Sequence, residues 1–323
     1  MTEIGAARDL SPGRGVRSPE DVARTLRTAS SARWSEKLIG YVLLACGLVS
    51  ILTTVGIVFV LLEETMRFFG DVSIVDFLTG TEWTALFKEP KFGVLPLVGA
   101  TLMISGLAML VAIPVGLLTA IYLSEFASSR ARAVLKPTLE LLAGIPTIVY
   151  GYFALTFITP NLLKPLIPGT GVYNALAAAL AVGVMVVPLV ASLSEDAMRA
   201  VPRSLREGGY ALGGTRMEVS LRVIVPAALS GIVASFILAI SRAVGETMIV
   251  TLAAGSKPQL TADPREAVQA MTGYIVQVLS GDIVTGSTVY TSLFAVGLLL
   301  FAITLVMNIA SQALVARFRE AYE

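Results

Sequence analysis

Two charged residues stand inside an otherwise apolar stretch, Ser241-Arg242-Ala243-Val244-Gly245-Glu246-Thr247. On one continuous helix, Arg242 and Glu246 sit one turn apart on the same face. A charge at the bilayer centre costs about 2.5–3.5 kcal/mol on insertion scales, so two of them require a reason. One reading is a self-neutralising pair that ties helices together, although desolvation cancels much of its attraction. The other is a face that lines a water-accessible path. There Arg242 offers forked donors suited to an anion, phosphate above all. Glu246 would hold the guanidinium or accept a hydrogen bond from a protonated phosphate oxygen. Thr247, with small Ala243 and Gly245, leaves room beside the pair. Glu140, early in another apolar run, is a further candidate for the path, with a structural role equally open. Gly144-Ile145-Pro146-Thr147 follows it and breaks or kinks that helix. Backbone groups freed at such a break can face a cavity, though a packing kink accounts for the residues equally well.

A second constellation is polar and short. Glu207-Gly208-Gly209-Tyr210-Ala211-Leu212-Gly213 is followed, nine residues later, by Val223-Ile224-Val225-Pro226. It lies between two long apolar runs. Gly213-Gly214 reads as a break between two short helices, because glycine accepts left-handed backbone angles. Pro202 suits the first turn of the first helix, and Pro226 suits the first turn of the long apolar helix that follows. Two helices joined at a bend form a rigid foot; an ordinary interhelical loop is the plainer reading.

These residues need elements to position them, and composition says which. Of 323 residues, 55% are hydrophobic and 15% charged, against about 25% charged in soluble domains. This predicts an all-α integral membrane protein. The net charge of +1 points to no nucleic-acid partner. The chain has no histidine, which excludes histidine general-base chemistry and histidine metal sites; no catalytic or metal-binding residue is expected. The single Cys46 cannot form an internal disulfide and is expected to be a packing residue.

A spanning helix needs about 20 apolar residues. Six runs qualify: 38–62, 95–123, 134–158, 173–193, 226–254 and 290–315. A polar tail over 1–35 precedes the membrane domain of 36–323. Residues 1–33 read as disordered, with a possible surface helix near 18–28, and Trp34 and Lys37 mark entry into the bilayer. So long a polar leader predicts no cleavable signal peptide. The even-numbered loops and both tails hold seventeen Lys and Arg, the odd-numbered loops six. Both termini are therefore expected in the cytoplasm, with the foot in a cytoplasmic loop of 194–225. The long first loop, 63–94, faces outside. Its Phe68, Phe69, Phe77, Trp83, Phe87 and Phe92 read as an interfacial aromatic belt or as a docking surface for an external binding protein.

The loop pattern resembles the EAA motif of bacterial ABC-importer permeases: Glu-Ala-Ala, three residues, Gly, nine residues, Ile-x-Leu-Pro. The spacing matches throughout, with Gly208 and Gly209 for the alanines and Val223 and Val225 for Ile and Leu. The Arg242–Thr247 segment, Leu139-Glu-Leu-Leu-Ala-Gly-Ile-Pro-Thr-Ile-Val-Tyr-Gly151 and Phe77-Leu-Thr-Gly-Thr-Glu-Trp83 together resemble the PstC-type permeases of high-affinity phosphate ABC importers, over about 36–320. The resemblance implies a six-helix type I permease in the bacterial inner membrane, working as a non-enzymatic transport subunit. Implied partners are a similar A-type permease, two copies of an ABC ATPase and an external phosphate-binding protein. It associates Arg242 and Glu246 with transport, and Glu207, Gly208, Gly209 and Gly213 with the ATPase contact. No G-x-x-x-x-G-K-[ST] occurs, so this chain is expected to bind no cofactor, ATP and Mg being used by the partner ATPase. The competing reading is a carrier that couples Arg242 and Glu246 to an ion gradient without an ATPase. A membrane-embedded enzyme lacks a visible nucleophile–base pair.

Overall fold

The structure, a computed structural model, describes residues 30–318, with side-chain environments for 36–313. The expected surface helix near 18–28 lies outside the described residues, as does the polar tail up to residue 29. The first helix, α1, starts at Ser30 and runs to Asp71. The chain divides into residues 1–59 and residues 60–323. In the first unit, side chains 36–57 are all exposed. Exposed apolar side chains along this stretch suit contact with lipid tails rather than water. Cys46 is exposed on this helix and not a packing residue.

The second unit is helical, with one isolated antiparallel bridge, Trp83 to Phe92, among the described residues. Its helices are α2 (Ile74–Thr79), α3 (Leu95–Ile121), α4 (Ser129–Ala143), α5 (Thr147–Phe153), α6 (Ala175–Arg199), α7 (Arg203–Ala211), α8 (Arg216–Val219), α9 (Leu229–Val244), α10 (Met248–Ala253), α11 (Met271–Ser280) and α12 (Thr288–Phe318). Helices α3 and α6 form the central packed pair. Their seam is built from Ala108, Ala112, Val182 and Val186, all buried. Small residues suit such a seam because apolar side chains gain nothing by leaving lipid, so close backbone approach does the work. At Gly183 a Cβ would stand 3.0 Å from Ala108 O, so only glycine fits there without displacement.

Among the described residues, four helices are long and apolar enough to cross a bilayer, and two bent pairs bring the number to six. The break expected in the third span is present, and the bounds of the fifth are corrected. The third breaks at Gly144-Ile145-Pro146, where the chain turns by 86°. Pro146 has no N–H and disfavours helix in the residue before it. The fifth does not start at Pro226, which falls inside the preceding helical segment; the chain bends by 72° before Leu229. It also stops early, at Val244. Helix α6 continues to Arg199, so Ser194 and Glu195 belong to a helix and not to the start of the loop.

The aromatic residues of the first loop are mostly neither belt nor surface. Phe68, Phe77, Trp83 and Phe92 are buried in one core with Tyr274 of α11. Their rings meet edge to face, as in the 4.8 Å contact of Trp83 with Tyr274, the arrangement that ring quadrupoles favour. Phe87 stays exposed.

Candidate functional site

The break after Val244 changes the relation between the two intramembrane charges. Gly245 ends α9, Glu246 and Thr247 lie in the gap, and α10 begins at Met248. Arg242 and Glu246 are not one turn apart on a continuous helix, and among the described residues they form no ion pair. The Glu246 carboxylate turns inward, 8% exposed. Its Oε1 accepts from the N–H groups of Met248 at 3.1 Å and Ile249 at 3.2 Å. It thus caps α10, satisfying donors that a helix start leaves unpaired. Thr272 Oγ1 on α11 donates to Glu246 O at 2.7 Å, pinning the gap from outside. Thr247 Oγ1 donates to Gly245 O at 3.2 Å.

Arg242 faces elsewhere. With Ser192, Met185, Pro188 and Leu189 of α6, and Glu140 and Ala143 of α4, it lines a cavity of about 210 Å³. Arg242 and Glu140 are both exposed to it, and neither forms an ion pair among the described residues. Glu246 and Thr247 are not part of the lining. The helix break at Gly144 puts Glu140 one turn from the end of α4, beside this space. A larger cavity of about 620 Å³ lies at the first loop and carries Asp71, Asp76 and Glu82. Its Lys91 is paired with Glu82, whose carboxylate raises the Lys91 pKa. That excess of carboxylates repels an anion.

The foot is built as two helices about Gly213. Gly213 has φ +82, a left-handed angle at which side chains are strained. Glu207 and Gly208 are exposed on α7, while Gly209 packs near Val219. Thr215 caps α8 in a reciprocal box with Glu218. The N–H and hydroxyl of Thr215 hold the Glu218 pKa below its usual value.

Sequence reasoning missed the charges that tie this foot to the bundle. Arg206 Nη2 donates to Met198 O at 2.7 Å and lies 3.2 Å from Glu125 Oε1. Glu125 sits in the wide helical turn Tyr122–Phe126 that ends α3, and its Oε1 also accepts from Ser124 Oγ at 2.6 Å. Glu195, fully buried, meets Lys136 Nζ at 2.7 Å, Arg199 at 3.4 Å and Arg132 at 3.6 Å. Arg132 also donates to Leu123 O and Ser124 O. The available signal was an acid at the end of an apolar run followed by basic residues; counted only as loop charge, it disclosed no partners.

A helical bundle with up to six apolar spans, a charged cavity within it and a bent foot define a multi-pass membrane permease. The chain belongs to the family of binding-protein-dependent transport system inner membrane components, whose profile matches residues 112–320. Its place is accordingly the inner membrane. A probable ABC transporter permease, YqgH of Bacillus subtilis, is 35% identical over 80% of this chain and 84% of its own length. The phosphate transport system permease PstC of Mesorhizobium japonicum is 34% identical over 72% of this chain and 76% of its own. Among solved structures, a bacterial ABC transporter involved in the import of the acidic polysaccharide alginate is similar over 90% of this chain and 100% of its own, with TM-score 0.63 and 15% identity. The inward-facing MetNI methionine ABC transporter is similar over 71% and 95%, with TM-score 0.53 and 18% identity. At such identities the likeness concerns the fold.

Proposed function

We propose that this chain is the membrane-spanning permease subunit of an ATP-driven importer of inorganic phosphate delivered by an external binding protein. The observation that carries the reading is Arg242, a guanidinium that forms no ion pair among the described residues, lining a cavity among apolar helices. A guanidinium lining such a cavity offers forked donors to a visiting oxyanion. The names of PstC-type relatives support phosphate as that anion. The chain would pair with an A-type permease, and two copies of an ABC ATPase would supply energy from ATP and Mg. The foot at Glu207–Gly213 would take up their motion on the cytoplasmic side. Arg206 would pass it to the ends of α3 and α6, and α6 carries Ser192 and Pro188 of the cavity wall. Rocking of these packed helices as rigid bodies would open the cavity to one side and then to the other.

The test is uptake into vesicles holding the complete complex with its binding protein. ATP should drive phosphate entry, and Arg242→Gln should abolish it while the complex still assembles. Wild-type uptake in that variant refutes the path. Uptake by this chain alone, driven by an ion gradient, would establish the carrier reading instead.

A further inference from the structure

We infer that Glu140 is the specificity-determining residue of the Arg242 cavity, selecting oxyanions that carry a proton over those that carry none. The inference rests on the proposed phosphate path and adds a role that the sequence pattern suggested for Glu246. In the structure one oxygen of the Glu246 carboxylate accepts from the N–H groups of Met248 and Ile249, and Glu246 is not part of the cavity lining. Glu140 is the carboxylate that shares the cavity with Arg242.

The chemistry follows from donor and acceptor counts. Arg242 supplies donors and no acceptor; ionised Glu140 supplies acceptors and no donor. Half-buried Ser192 supplies one donor and two acceptor lone pairs. Inorganic phosphate near neutral pH keeps at least one O–H on every ion, so it can accept from Arg242 and donate to Glu140 at once. Sulfate has the same shape and charge class but only acceptors. Facing Glu140 it meets lone pairs with lone pairs and leaves that carboxylate without a donor, a built-in rejection of the wrong ligand. Arsenate, which retains protons as phosphate does, passes the same filter. The lining holds one positive and one negative side chain, so the cavity is no deep trap for a dianion. Weak holding suits a path from which the anion must leave. At roughly 30 Å³ per water, a cavity of about 210 Å³ admits an oxyanion together with part of its hydration.

The experiment is equilibrium binding of ³²P-phosphate to the assembled complex in nanodiscs, without the external binding protein, competed by sulfate and by arsenate. In the wild type, arsenate should displace the label near the phosphate concentration, and sulfate only at an excess of about tenfold or more, because it has no proton to donate to Glu140. Glu140→Gln, whose amide can donate to sulfate, should bring sulfate level with arsenate. Glu140→Asp should keep the wild-type order. An unchanged phosphate-to-sulfate ratio in Glu140→Gln overturns the assignment and leaves the phosphate path standing. No phosphate binding in the wild type, or wild-type binding in Arg242→Gln, overturns both.

Discussion

Arg206 on α7 stands 3.2 Å from Glu125 at the end of α3. The Glu125 side chain is only 5% exposed and that of Arg206 22%, so the pair is poorly screened by water. The same guanidinium holds Met198 O at the end of α6. One side chain therefore ties the foot to both helices of the central packed pair. A hydrogen bond to a charged group contributes about 1.5–3 kcal/mol, enough to make the foot move with the bundle rather than flex against it.

Breaking this tie should uncouple transport. Arg206→Leu is expected to lower ATP-driven uptake by at least about tenfold, the equivalent of about 1.4 kcal/mol in coupling, while ATP hydrolysis continues. Glu125→Gln should have a smaller effect, because Arg206 keeps its bond to Met198 O. Parallel assays of uptake and hydrolysis check this; a matched fall in both would point to misassembly instead.

Gly213 supplies the bend of the foot at φ +82, with open space where a Cβ would stand. The constraint is thus backbone strain and not crowding. Gly213→Val should cost on the order of 1–3 kcal/mol at the bend and abolish ATP-driven uptake. Gly213→Asn, which tolerates left-handed angles, should retain most of it. Equal loss in both variants would show that the left-handed angle is not what matters.

Among the described residues Glu195 is the least exposed charge, at 0% beside Lys136, Arg132 and Arg199. Glu195→Ala leaves three cations facing one another and should destabilise the chain by about 3–5 kcal/mol. A thermal-unfolding scan of the detergent-solubilised protein should show a clearly lowered midpoint. Lys136→Met should cost less, since Arg132 and Arg199 still face the carboxylate.

The loop between α10 and α11 contains a local pair with a pH signature. The Arg265 side chain, and then its backbone N–H, bond Asp263 and lower its pKa from 3.8 to about 2. Because the folded value is depressed, the pair's contribution is complete above pH 3.8 and fades as pH falls through about 2. A carboxyl ¹³C titration should place the Asp263 midpoint near 2, and Arg265→Gln should move it back toward 3.8. No dependence on this pair is expected between pH 5 and 8.

The spans, the foot and the basic count of the loops were legible in the sequence because each is local. Apolar runs of spanning length and a glycine at a left-handed bend need no distant partner to be read. The Arg242–Glu246 relation was not legible, because Gly245 permits either a continuous helix or a break. Thr272, twenty-six residues further on, holds the broken form through Glu246 O. The first-loop aromatics were misread for a like reason: ring type does not disclose whether Tyr274 covers the ring.

The sequence by itself determined that this chain crosses a membrane several times, exposes a bent foot and carries charges where lipid would reject them. Only the tertiary structure decided which charges meet. It set Glu140 and Arg242 in the lining of one cavity, turned Glu246 into a helix cap, and joined Arg206 to Glu125 and Lys136 to Glu195. Helical periodicity and turn chemistry act over a few residues and leave their mark in the local pattern. Pairing between helices depends on the packing register of segments far apart in the chain, which no short stretch encodes.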